Sequence, residues 1–224
     1  VGFFFFFFFF LEFLLVRKEI KLVCGVGVNN ADYVVQKSET VRCENGKRRK
    51  KVLWICPFYQ KWLDMLKRCY SAYAKKNHPS YDQCRVCEEW LTFSNFKLWM
   101  EQQDWEGKEL DKDILYHKNK IYGPDTCVFV GHHTNSFLLD KGGRRGFLKM
   151  GVSWQKSAGK FKAQCNDGSG KSRYLGLFDT EQQAHEAWLS FKLEQAKLLA
   201  EMQTDERVAK ALVERYANYK PQET

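Results

Sequence analysis

The sequence predicts an α+β fold, and three observations carry that prediction. Short apolar runs with a hairpin dipeptide fill residues 20–55, and aromatic residues recur at three- and four-residue spacing from Phe58 onward. After residue 149, three short strands with Gly-containing turns precede one capped, long helix. The chain has 224 residues, enough for one or two domains with ordinary cores. Lys+Arg number 36 against 27 Asp+Glu, a formal charge of +9, and aromatic residues make up 16% of the chain. That mixture suits a protein that meets a polyanion, and charge alone fits a membrane surface equally well. Eight Cys with no recognisable secretory signal read as reduced intracellular thiols, mostly core, and not as a disulfide framework.

The first segment, residues 1–18, is set aside from the fold. A helix over Phe3 to Val16 would be about 21 Å long, short of a bilayer's roughly 30 Å, and it carries Glu12. No basic residue precedes it, as a signal peptide requires. The run of eight Phe therefore reads as a translated homopolymer tract or a misplaced start, and no membrane partner is favoured.

Residues 19–56 form a β-rich region, in which "KLVCGVGV", "DYVVQ" and "KKVLWIC" are strand candidates. Asn45-Gly46 predicts a two-residue hairpin turn, because both positions tolerate positive φ. The hairpin carries "KRRKK", and Lys47, Arg48 and Arg49 read equally as a solvated charged turn or as phosphate contacts. Pro57 then opens a helix with Phe58, Trp62, Met65, Leu66, Cys69 and Tyr70 on its apolar face and Lys61, Lys67 and Arg68 off it. After the polar stretch 74–82, "CRVCEEWLTFSNFKLWM" predicts further buried helical faces at Trp90, Phe93, Phe96, Trp99 and Met100. Its single C-x-x-C, Cys84 and Cys87, would need Cys56, Cys69 or His78 at mismatched spacing to hold structural zinc, so packing is the favoured role. A thioredoxin-like redox role is less favoured still.

The Gly-rich, charged stretch "DKGGRRG", residues 140–146, is the best linker, and residues 140–148 divide the chain. Beyond it, Asp179-Thr180 caps a long helix, with Gln183 completing a capping box and Ala184, Ala187, Trp188, Phe191 and Leu198 on its apolar face. A last helix in 201–224 has Val208, Ala211, Leu212 and Tyr216 in register.

Pleat alternation sorts the three strands between faces. Val152, Trp154, Phe161, Ala163, Cys165, Leu175 and Leu177 point toward the helix, while Ser153, Gln155, Lys160, Lys162, Gln164, Ser172, Tyr174 and Gly176 point away. Lys156 and Arg173 adjoin the outward set. Such groups contact phosphates and base edges, although a solvated antiparallel sheet is also polar on one face. Residues 149–178 hold six Lys/Arg and one Asp, about +5, whereas 179–224 hold six Lys/Arg and nine Asp/Glu, about −3.

The stretch "GVSWQKSAGKFKAQCNDGSGKSRYLGLFDTEQQAHEAWLSF" resembles the AP2/ERF-type, integrase-like DNA-binding domain. That resemblance implies a three-stranded sheet with one packing helix over 149–200, laid in the major groove of double-stranded DNA. The family's plant members carry Arg at the positions of Ser153 and Gln155, so guanine readout by those residues is not carried over.

Four pieces in order, "YQKWLDMLKRCYS", "CRVCEEW", "LDKDI" and "IYGPDTCVF", resemble a branch of phage HNH homing-endonuclease-like proteins. The resemblance implies a ββα-containing domain over 57–139, a phage or mobile-element origin, and location in the bacterial host cytoplasm. It places Asp111 at the metal-ligating strand end, Asn135 near the helical metal ligand, Lys112 where the general base stands, and Thr126 where a bracing Asn stands. The metal would be Mg²⁺ or another divalent cation. Deprotonating an ordinary Lys at pH 7 costs roughly 4.6 kcal/mol, which disables it as a base unless burial beside a metal lowers its pKa. His117, His132 and His133 are the alternative imidazoles. Three expectations follow: a DNA-binding protein with weak or no cleavage, a metal-dependent nicking endonuclease, or, on the Phe run alone, a membrane-tethered basic protein.

Overall fold

The computed structural model describes residues 21–138, 147–167 and 171–219. The Phe-rich start and the Gly-rich linker over 140–146 lie outside the described residues. The fold is α+β, built among the described residues from small sheets and six helices. Among the described residues no helix is long and apolar enough to cross a membrane.

Strands β1 (Gln36–Arg42) and β2 (Arg48–Ile55) form an antiparallel hairpin. The turn differs from the two-residue expectation. Cys43 N–H donates to Lys47 O, leaving the three-residue loop 44–46, and Gly46 alone takes positive φ, at 75°. Three-residue loops place one left-handed residue after a tight turn, and Gly fills that position without a Cβ clash. "KLVCGVGV" is not a strand: Cys24 and Gly25 both have positive φ, and the segment contributes only the bridges Val23–Gly27 and Val28–Thr92.

Helix α1 (Pro57–Tyr70) buries Trp62, Met65, Leu66 and Cys69, as its three- and four-residue spacing predicts. Helix α2 (Ala72–Asn77) follows, and then strand β3 (Arg85–Val86). Trp90 occupies a single 3-10 turn rather than a longer helix, and helix α3 (Phe93–Glu101) starts after it. Trp62 Nε1 donates to Trp90 O at 2.7 Å, tying α1 to this turn. Trp62, Trp90, Phe93, Phe96 and Met100 are all buried in the first core, which Cys56, Cys69 and Cys84 help to fill.

Strand β4 (Glu109–Asp111) pairs antiparallel with β6 (Val128–Val130), while the short β5 (Ile121–Tyr122) between them pairs parallel with β3. Helix α4 (His132–Phe137) follows β6 directly, so the order over 109–137 is β4-β5-β6-α4, with β4 and β6 paired. Strands β7 (Val152–Gln155), β8 (Lys160–Asn166) and β9 (Ser172–Phe178) form an antiparallel sheet in sequence order.

Helix α5 (Glu181–Glu201) covers one face of that sheet and pairs with α6 (Glu206–Ala217). The predicted capping box is present, with Thr180 Oγ1 accepting from Gln183 N and Gln183 Oε1 from Thr180 N, both at 3.2 Å. Gly151, at φ 79°, seats Trp188 so closely that a Cβ there would fall 2.0 Å from the indole. Leu198, expected on the apolar face, is 55% exposed, and the buried positions instead include His185 and Lys192. A second core joins Trp188, Leu199, Leu212 and Tyr216 to Ile114, Val128, Val130 and Phe137, so residues on both sides of the linker share it. Lys192 crosses this junction: its Nζ donates to Phe137 O at 2.8 Å and lies 3.3 Å from the Phe137 ring centre.

Candidate nucleic-acid interface

The register of the C-terminal sheet decides which side chains share a face, because residues directly opposite in an antiparallel pair project to the same side. Gln155 lies opposite Lys160 and Ser153 opposite Lys162. Gln164 lies opposite Tyr174 and Asn166 opposite Ser172. On the other face Val152 and Ala163 pack with Ala184 of α5, joined by Phe161 and Phe178. The outward set thus forms one surface that carries ammonium, amide and hydroxyl groups. Lys160 forms an ion pair with Asp179 at 3.0 Å, and Tyr174 is 63% exposed. Lys156 sits beside this surface in the exposed β7–β8 turn.

One irregularity breaks the simple alternation. A bulge falls where Ala163 pairs with Gly176 and Gln164 with Tyr174, so Leu175 is the extra residue. One inserted residue reverses the phase beyond it. Gly176 and Phe178 therefore share the helix side with Ala163 and Phe161, while Leu177 turns outward opposite Lys162. Arg173 lies opposite Cys165, off the outward face, and pairs with Asp167 at 3.5 Å. Trp154 is on the inward side but at its end, stacked edge-on against Phe161 with ring centres 4.8 Å apart, and it is 48% exposed.

The region over 109–137 turns its polar groups to other uses. Asp111 Oδ1 accepts from the backbone N–H groups of Asp113 and Ile114, at 2.8 and 2.7 Å, closing the turn that ends β4. Burial pushes the Asp111 carboxyl above its usual range, against the opposing pull of those two amides. Lys112 is 4% exposed, and its Nζ donates to Asp113 Oδ2 and Asn119 O, both at 2.7 Å. Asn119 binds the same loop from the other side, donating to Lys112 O and Ile121 O. Thr126 Oγ1 donates to Ile121 O at 2.8 Å, a bracing contact within the connection to β6.

Asn135 does not meet Asp111. Its Nδ2 donates to Glu109 Oε2, and His132 Nδ1 lies 2.8 Å from Glu109 Oε1. These two contacts, the Asn135 amide first, hold the Glu109 carboxyl below its usual range. Glu109 and Asn135 line a recess of about 300 Å³ with Lys61, Asp64, Arg68 and Tyr81. Glu109, Lys61 and Arg68 were not singled out as site residues by sequence reasoning. Their signal was partial: Lys61, Asp64 and Arg68 recur at helical spacing off the apolar face of α1, and Glu109 precedes Asp111 by one pleat period.

His133 is exposed and distinct from this contact, while His117 Nδ1 faces Arg215 at 2.5 Å. Burial, followed by the Arg215 charge, lowers the His117 pKa. The three imidazoles are not gathered at Asp111. Among the described residues no three His, Cys, Asp or Glu side chains form a group that could hold a metal ion. Asp111 Oδ1 and Asn135 Nδ2 are turned to different internal partners, the backbone amides after β4 and the Glu109 carboxylate. No protein-family model, curated protein or solved structure matches the chain.

Proposed function

We propose that this chain binds double-stranded DNA through the outer face of β7–β9. The observation that carries the reading is the register, which gathers Ser153, Gln155, Lys160, Lys162, Gln164 and Tyr174 on the side opposite α5. Charge sorting supports it: the strands and their turns carry about +5, and the two helices with their tail about −3. Lys160 and Lys162 supply phosphate contacts, and the amide and hydroxyl groups between them supply hydrogen bonds to phosphates and base edges. The resemblance of residues 151–191 to AP2/ERF-type domains points the same way. Cleavage is not part of the proposal, because Lys112, where the general base would stand, is buried and donates to Asp113 and Asn119.

The test is retention of a short labelled duplex by the protein over a range of KCl concentrations, with Lys160→Ala plus Lys162→Ala as the variant. Each phosphate contact contributes roughly 0.9 to the slope of log K against log salt, so the double variant should lower that slope by about 2. Binding that is unchanged in strength and slope would sink the assignment. A plasmid-nicking assay with and without Mg²⁺, beside Asp111→Ala, checks the omission of cleavage. Metal-dependent nicking lost in the variant would restore it.

A further inference from the structure

The β1–β2 hairpin stands clear of both cores. Its strand residues are exposed on both faces, apart from Val41 and Ile55. Its root is held by Val35 and Ile55 against the first core and by Cys56 N–H donating to Val35 O at 2.8 Å. A lone two-stranded hairpin is marginal in water, so a ribbon of this kind gains most from a partner laid along it.

Register sorts the hairpin's charge as it does that of the C-terminal sheet. Arg42 lies directly opposite Arg48, Thr40 opposite Lys50 and Ser38 opposite Val52, so Arg42, Arg48 and Lys50 share one face. Glu39, the carboxylate within the strands, lies on the other face and pairs with Lys51 at 3.6 Å. Residues 36–55 hold seven Lys/Arg (37, 42 and 47–51) and two Glu (39 and 44), a balance of +5. The sequence run draws the eye to Lys47, Arg48 and Arg49, but Arg49 lies opposite Val41 on the reverse face. Like charges directly opposite each other repel, and a polyanion removes that repulsion. A two-stranded ribbon is also of a size that the major groove of DNA admits. A membrane surface fits less well, because the exposed apolar residues Val52, Leu53 and Trp54 sit near the root while the tip is Glu44-Asn45-Gly46.

We infer that this hairpin is a second DNA contact, a cationic ribbon whose Arg42, Arg48 and Lys50 face lies against duplex phosphates. The inference rests on the DNA-binding reading above but uses different residues. In the same salt titration, Arg42→Ala/Arg48→Ala/Lys50→Ala should lower the slope by roughly 2 to 3, at about 0.9 for each phosphate that is no longer neutralised. Exchange of the same positions as Arg42→Lys/Arg48→Lys/Lys50→Arg keeps the charge and should keep the slope. Comparing both hairpin variants with Lys160→Ala/Lys162→Ala, and repeating the measurement on phosphatidylserine vesicles, separates the possible results. If the alanine variant keeps the full slope while the native chain binds DNA, the ribbon contact is wrong and the sheet reading stands. If the hairpin variant loses slope and the sheet variant does not, the ribbon contact stands and the sheet reading falls. A native chain that does not bind DNA overturns both. Hairpin-dependent binding to vesicles, with an unchanged DNA slope, overturns the ribbon's assignment to DNA and gives it to a membrane surface.

Discussion

The region over 109–137 and the sheet β7–β9 are rich in the same side chains, yet they use them in opposite ways. In the first, Asp111, Lys112, Asn119 and Thr126 are bonded to backbone groups and side chains of their own loop. In the second, Lys162, Gln164 and Tyr174 project from a sheet whose other side already satisfies the packing. Ligand-binding capacity therefore depends less on which polar residues are present than on whether nearby backbone has already engaged them.

Lys112 offers the sharpest way to break this contrast. Lys112→Ala removes one member of a buried hydrogen-bonded group and leaves Asn119 O and Asp113 without their donor, which should cost about 3 kcal/mol in urea unfolding. DNA binding by the folded fraction should not change. A stable Lys112→Ala protein with impaired binding would show that Lys112 serves a ligand instead.

Lys192 sharpens the comparison at the junction of the two regions. Burial lowers its pKa from 10.5 to about 8. Between those values the unfolded chain binds the proton more tightly than the folded one, so the burial penalty is fully present below pH 8. It is relieved as pH rises toward 10.5. Wild-type stability relative to Lys192→Met should rise by about 2 kcal/mol across that window, measured by urea unfolding at several pH values. A difference that is flat with pH would mean that Lys192 titrates normally in the fold.

Asp111 gives a smaller effect with a built-in control. Asp111→Ala loses an acceptor for two backbone N–H groups and should cost about 1 to 2 kcal/mol. Asp111→Asn keeps an oxygen in place and should stay within about 0.5 kcal/mol of the native chain. Equal losses in both variants would show that the charge, and not the turn, matters. Smallest of all, Lys160→Ala plus Lys162→Ala should shift stability by less than about 0.5 kcal/mol, because both are on the outer face. A larger loss would mean that this surface is built into the fold and not left open for a partner.

Much of the fold was legible because it rests on local periodicity. The Trp62, Met65, Leu66 and Cys69 face of α1 follows from helical spacing, the Thr180–Gln183 cap from two side chains three residues apart, and the facing of β8 from a two-residue repeat. The errors share a cause as well. A single extra residue at Leu175 moved Leu177 to the outer face, and positive φ at Cys24 and Gly25 kept an apolar run out of any strand. Neither event leaves a mark in hydrophobic pattern alone.

By itself, the sequence determined where charge accumulates and which helix faces are apolar, because both depend on neighbours within a few residues. Tertiary structure alone decided that Lys112 is enclosed, that Asn135 and His132 meet Glu109, and that Lys192 spans from α5 to the end of α4. Those outcomes depend on which distant carbonyls and carboxylates the packed backbone brings within about 3 Å, a distance that sequence separation does not encode.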